Sequence, residues 1–157
     1  MRTISVTLYK FNELPTERAK ECARAWWRDG LDFSWQTESK ESIDAFCGHF
    51  GARLFDWEIC AFGSYSFKLD APPSLFRGVK LKDIRRDAMP TGYCLDCSLW
   101  FTFYDTFKAT GCANKAFQAA IEAGFRDWRA DMENQLEDEQ VDEMLNEYEF
   151  DENGDPA

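Results

Sequence analysis

Tyr93-Cys94-Leu95-Asp96-Cys97-Ser98-Leu99-Trp100-Phe101-Thr102-Phe103-Tyr104 is the stretch on which the reading of the fold turns. Taken two residues at a time, Leu95, Cys97, Leu99, Phe101 and Phe103 share one face, and Ser98, Trp100, Thr102 and Tyr104 share the other. Alternation of this kind in an aromatic-rich run predicts a half-buried strand over 93–104. Two other regions carry the same period. Residues 2–9 set Ile4, Val6 and Leu8 against Thr3, Ser5, Thr7 and Tyr9. Residues 53–69 show Leu54, Trp57, Ile59 and Ala61, then Tyr65, Phe67 and Leu69, with a break at Gly63-Ser64 that fits a hairpin or a bulged strand.

Helical periods lie between and after these. Leu14, Ala19, Cys22, Ala25 and Trp26 form a stripe ending near Arg28, with Pro15 in the first turn and Gly30 as the stop. Ile43, Phe46, Cys47 and Phe50 recur at i, i+3, i+4 and i+7 within 39–50, and Gly51 closes that helix. From Ala113, Phe117, Ile121, Phe125, Trp128, Met132 and Leu136 follow a 3.6-residue stripe. The stripe skips at Glu137–Gln140 and resumes at Val141, Leu145 and Tyr148. Either one helix shifts phase there or two helices meet. The order β-α-α-β-β-β-α, with an irregular stretch over 70–92 opened by Ala71-Pro72-Pro73, predicts an α+β fold. It comprises an antiparallel sheet of about four strands, helices on one face and a long acidic C-terminal helix. One domain spans 1–150, and 151–157 form a flexible acidic tail.

Charge divides the chain unevenly. From Asp127 to Ala157 there are 13 acidic residues and one basic residue, a net of −12. Residues 1–126 hold 16 acids and 17 bases, a net of +1, which completes the −11 of the whole. Residues 77–86 hold the one basic cluster, Arg77, Lys80, Lys82, Arg85 and Arg86. No segment approaches the ~18–20 apolar residues of a membrane span. The first residues lack the apolar core of a secretory signal, so the expected location is cytoplasmic. Six cysteines in such a compartment read as thiols, mostly small buried hydrophobes.

Catalytic and metal signals are sparse. Cys94-x-x-Cys97 has a metal-like spacing, but there is no second such pair, and His49 is the single histidine. On a strand the two cysteines point to opposite faces and cannot chelate one ion; a turn at Leu95-Asp96 would bring them together, with Cys47, His49, Cys60 or Cys112 as further ligands. A redox role calls for a helix start after the first cysteine, and here a strand pattern follows. The sequence therefore implies no metal, with Cys94 and Cys97 as weak candidates, and no cofactor. It holds no glycine-rich phosphate loop and no nucleophile elbow.

The acidic arm is the stronger clue. Like charges stand at i, i+4 in Asp127/Asp131, Asp138/Asp142 and Glu139/Glu143/Glu147. Each such pair costs ~0.2–0.5 kcal/mol in a helix. Solvation of an acidic end accounts for this pattern, and so does a basic partner that relieves it. If all helical, the arm spans ~46 Å at 1.5 Å per residue, about one charge per 3.6 Å, near the axial charge density of a single nucleic-acid strand. Mimicry of nucleic acid is compatible with that density.

Two stretches carry a resemblance. Leu8-Tyr9-Lys10-Phe11-Asn12-Glu13-Leu14-Pro15-Thr16-Glu17-Arg18-Ala19-Lys20-Glu21-Cys22-Ala23 resembles the opening of a family of small phage and prophage proteins, which begin with a strand, Tyr-x-Phe-x-Glu-Leu and an Ala/Lys/Glu-rich helix. Asn146-Glu147-Tyr148-Glu149-Phe150-Asp151-Glu152-Asn153-Gly154 resembles its closing stretch. The family is labelled as antitoxins of a toxin–antitoxin stability system. Where it often has a glycine-rich segment, Phe62-Gly63-Ser64-Tyr65 stands here. The resemblance implies phage or prophage origin, location in a bacterial host and a binding or neutralising role.

Together these readings predict a non-enzymatic inhibitor or interaction protein. Its acidic surface would bind a basic host protein such as a nuclease or CRISPR effector, with no direct nucleic-acid or membrane contact. The expected contacts are Asp131, Asp138, Glu139, Asp142 and Glu143, with Tyr148 and Phe150 as aromatic anchors. The alternatives are an antitoxin that neutralises a cognate toxin, and a zinc- or thiol-dependent enzyme.

Overall fold

The computed structural model describes residues 2–31, 36–61, 63–71 and 76–157. In chain order the elements are β1 (Tyr9–Lys10), α1 (Glu17–Asp29), α2 (Gln36–His49), β2 (Arg53–Ile59), β3 (Tyr65–Asp70), α3 (Leu95–Thr110), α4 (Ala113–Leu136), α5 (Asp138–Leu145) and β4 (Glu149–Phe150). The fold is α+β. Its four strands among the described residues form two separate antiparallel pairs, β1–β4 and β2–β3, rather than the single four-stranded sheet expected. The chain divides into two compact units, one of Met1–Phe33 with Glu133–Ala157 and one of Ser34–Met132.

The largest correction falls on 93–104, which is not a strand. Cys94 is the N-cap of α3, and Gly111, at φ +67, closes the helix with its N–H on the Phe107 carbonyl at 2.8 Å. The misreading has a definite source. Leu95, Leu99 and Phe103 are spaced by four, which satisfies a period of two and a helical face equally. The positions between them decide. Trp100, assigned to the strand's outer face, is buried, while Cys97 and Phe101, assigned to its inner face, are only half-buried. Burial at 95, 96, 99, 100 and 103 is a helical pattern.

In the second unit, Phe46 of α2 sits among aromatic rings. It stacks on Phe117 of α4 at 5.4 Å and meets Trp100 and Phe103 of α3 edge-on at 5.1 and 5.8 Å. The β2–β3 hairpin lays Tyr65 and Phe67 on Phe125 of α4, at 5.6 and 5.1 Å, and Trp57 on Trp128 at 5.0 Å. The break at Gly63-Ser64 is the turn of a hairpin, and the pairing shifts register elsewhere, between Leu54 and Asp56. Arg129 reaches back to the turn, donating to the Gly63 carbonyl at 2.7 Å and lying over Tyr65.

The first unit has a smaller core of Phe11, Leu14, Ala19, Ala23, Val141, Leu145 and Phe150. The buried face of α1 runs through Ala19 and Ala23, while Cys22, Ala25 and Trp26 of the expected stripe are exposed. The strand expected over 2–9 shrinks to Tyr9–Lys10, because β4 offers only two residues to pair with. Ile4, Val6 and Leu8 are exposed. The phase skip at 137–140 is a helix break: Glu137 is extended between α4 and α5, so two helices meet instead of one long acidic helix. Residues 151–157, expected as a free tail, form a turn. The Asp151 carboxylate accepts from the N–H of Asn153 and Asp155, and the Ala157 N–H donates to the Glu149 carbonyl. Gly154 is buried at φ +82, and a Cβ there would fall onto the Ala19 carbonyl oxygen. The Pro72-Pro73 break and Phe62 lie outside the described residues.

Candidate functional site

The acidic surface of the first unit is built on α1 and α5. Thr16 caps α1, its hydroxyl accepting from the Ala19 N–H at 3.1 Å. The small side chains of Ala19 and Ala23 share a core with Val141 and Leu145, one turn apart on α5. That packing fixes which side of α5 faces α1 and sorts the acids of α5 into two rows.

The inner row is paired. Arg24 makes a two-pronged contact with Asp142, Nε to Oδ1 at 2.7 Å and Nη2 to Oδ2 at 2.9 Å. One turn on, Arg28 binds Asp138 and donates twice to the carbonyl of Leu136, the last residue of α4, at 3.0 and 2.8 Å. The Arg28 hydrogen bond pulls the Asp138 carboxyl below its ordinary range. Arg24 is raised by its bond to Asp142. Asp138 and Asp142, expected as partner contacts, are thus engaged within the chain.

The outer row is Glu139 and Glu143 of α5 with Glu147 in the turn that follows it. All three are exposed, stand four residues apart, and make no ion pair or side-chain hydrogen bond among the described residues. Beside this row, Tyr148 packs against Trp26 and Trp27, with ring centroids at 5.4 and 5.9 Å and the planes at 75° and 56°. A cavity of about 280 Å³ opens there, lined by Trp26, Trp27, Gly30, Leu31 and Tyr148. Trp26 and Tyr148 are each 38% exposed. Four other rings of the protein carry a cationic side chain over their faces, and these three carry none among the described residues.

Two expected contacts lie elsewhere. Phe150 is fully buried in the first unit's core, so it holds the fold and cannot serve as a surface anchor. Asp131 lies in the second unit, half-buried in a cavity of about 220 Å³ with Cys94, Leu95, Ser98, Asp127 and Ala130. Desolvation raises its carboxyl, and the neighbouring Asp127 adds to the rise. In the basic cluster Arg86 pairs with Asp105 of α3 and Arg85 with Asp87, both acids outside the arm.

Sequence reasoning missed Arg24, Arg28, Trp26 and Trp27 as parts of this face. A signal was present. Arg24 and Arg28 are four apart, as are Asp138 and Asp142, so two helices with matched opposite charges could be set side by side.

Cys94 and Cys97 occupy the N-cap and first turn of α3, the first exposed and the second half-buried. Among the described residues no group of three or more His, Cys, Asp or Glu side chains is gathered to hold a metal ion. No helix among them is long and apolar enough to cross a membrane. No protein-family model, curated protein or solved structure matches the chain.

Proposed function

We propose that the protein is a non-enzymatic interaction protein of phage or prophage origin, whose outer acidic row binds a basic protein of the bacterial host. The observation that carries this reading is the sorting of acids on α5. If the charge served only internal pairing, Glu139, Glu143 and Glu147 would need cations as Asp138 and Asp142 do. Were it only solvation, the row would not need a ring corner beside it. A row of carboxylates flanking exposed Trp and Tyr suits Arg and Lys side chains, by charge along the row and by cation–π contact in the corner. Nucleic-acid-binding proteins, including nucleases and CRISPR effectors, present surfaces of that kind. The first unit concentrates the charge: it holds 16 acids and 6 bases, a net of −10, against 13 and 12 in the second unit, which together give the −11 of the whole chain.

Capture from bacterial lysate at low and at high salt tests this reading, with Glu139, Glu143 and Glu147 reversed to Lys in parallel. The expected result is a basic protein held at low salt, released at high salt and lost on reversal. Capture of no basic protein, or capture indifferent to the reversal, contradicts it.

Antitoxin action is the second reading, and one observation favours it. The two stretches that resemble the antitoxin-labelled family fall in the same unit and pair with each other, Tyr9 opposite Phe150 and Lys10 opposite Glu149. A growth-inhibiting gene beside this one, neutralised when both are expressed, would support it.

A further inference from the structure

The helical form of 93–104 changes the chemistry available to Cys94 and Cys97. On a strand they diverge; at the start of a helix, residues three apart share a side. With a helix radius of about 2.3 Å and a rise of 1.5 Å per residue, their Cα atoms stand about 5 Å apart, and about 6 Å if the turn is of the tighter 3-10 kind. Both values fall in the 4.4–6.8 Å range of disulfides. The backbone here is of the tight kind: the Cys97 N–H donates to the Cys94 carbonyl at 3.1 Å, and that of Asp96 to Tyr93 at 3.0 Å.

The turn is also held in place. Asp96, fully buried, accepts through one carboxylate oxygen from the Thr91 N–H at 3.0 Å, the Thr91 hydroxyl at 2.9 Å and the Gly92 N–H at 3.0 Å. Its other oxygen is buried without a partner. This clamp fixes the approach to Cys94 at the N-cap. Cys94 is exposed beside the 220 Å³ cavity it shares with Ser98 and Asp127. Cys97 is half-buried, its thiol 3.5 Å from the Met89 sulfur.

We propose that Cys94 and Cys97 are a thiol–disulfide exchange site that closes reversibly in the folded protein. The co-reactant is a small or protein disulfide. The Cys94 thiolate attacks one of its sulfurs and expels the other as a thiolate, leaving a mixed disulfide on Cys94. The Cys97 thiolate then attacks the Cys94 sulfur and expels the second thiolate. One S–S bond is made and one broken. The two cysteines are oxidised by two electrons, the co-reactant is reduced to two thiols, and the protons of Cys94 and Cys97 end on them. The inference is independent of the acidic face, since every residue in it belongs to the second unit.

The test equilibrates the intact protein with glutathione buffers of graded oxidation, quenches with acid and maps the cysteines by mass. Cleavage after Arg86 and Lys108 releases a peptide, 87–108, holding Cys94, Cys97 and no other cysteine. This peptide should lose two hydrogens with no added glutathione. Cys97→Ser should instead accumulate the glutathione adduct on Cys94. Closure should be favoured at least about tenfold, or ~30 mV, over the same reaction in the urea-unfolded chain. A peptide that stays as two thiols, a glutathione adduct persisting on wild-type Cys94, or equal closure in folded and unfolded protein would overturn the proposal. The folded-to-unfolded ratio is read on the unmutated protein, so an unstable variant does not blunt it.

Discussion

The two units are stabilised by different means. The second gathers large rings around Phe46, with Trp100, Phe103 and Phe117 within 6 Å. The first has a core of seven described residues, two of them alanines, and joins its two segments through two-residue strands and arginine–carboxylate contacts. It also carries nearly all of the net charge. A densely charged surface works against a large apolar core, and the first unit offsets its thin core with tight backbone contacts and an inner row of paired charges. The second, nearly neutral, is free to pack aromatic residues.

Substitutions in each unit sharpen this contrast. Phe46→Ala should have the largest effect, a loss of about 3–5 kcal/mol, because four packed ring contacts are removed at once. Chemical denaturation measures it. In the first unit, Gly154→Ala should cost about 3 kcal/mol from a positive φ and an overlap with the Ala19 backbone. A loss below about 1 kcal/mol there would mean that the turn over 151–157 is not tied to α1.

How much of this was legible in the sequence follows from the same residues. The 3.6-residue stripe of α4 stands out because the step of three from Phe125 to Trp128 breaks the period of two that Phe117, Ile121 and Phe125 alone would satisfy, and these four with Met132 are all buried. In α3 the apolar residues fall at spacings of four and satisfy both periods, while Phe, Trp, Tyr and Thr tip the local preference towards a strand. Tertiary packing on α2 and α4 decides for the helix. The acidic row was legible as a charge pattern. Its division into inner and outer halves was not, because it depends on which side of α5 the small alanines of α1 meet. Phe150 looked like an anchor because its neighbours are acidic; its burial comes from pairing with Tyr9, some 140 residues away in the chain.

Two further effects divide the units by charge rather than by packing. Burial pushes the Cys47 thiol in the second unit up to about 12, from an ordinary 9.0. Between these values the unfolded chain has lost that proton and the folded protein keeps it, so stability falls as pH rises from about 9 to about 12. The Cys47 contribution to the slope is about 1.4 kcal/mol per pH unit, and Cys47→Ala should be shallower by that amount, as denaturation at stepped alkaline pH would record. Asp142→Asn in the first unit should cost about 1–2 kcal/mol, since it takes one prong from a partly buried arginine. An equal loss from Glu143→Gln would erase the distinction between the rows.

In the proposed function the outer row binds a partner and the inner row holds the fold. Titration calorimetry on the captured partner tests it most directly, comparing the Glu139→Lys/Glu143→Lys/Glu147→Lys protein with the unmutated one at two ionic strengths. Binding should weaken by at least about tenfold and its salt dependence should become shallower, with the denaturation midpoint nearly unchanged. Unchanged affinity in a folded triple variant would contradict it.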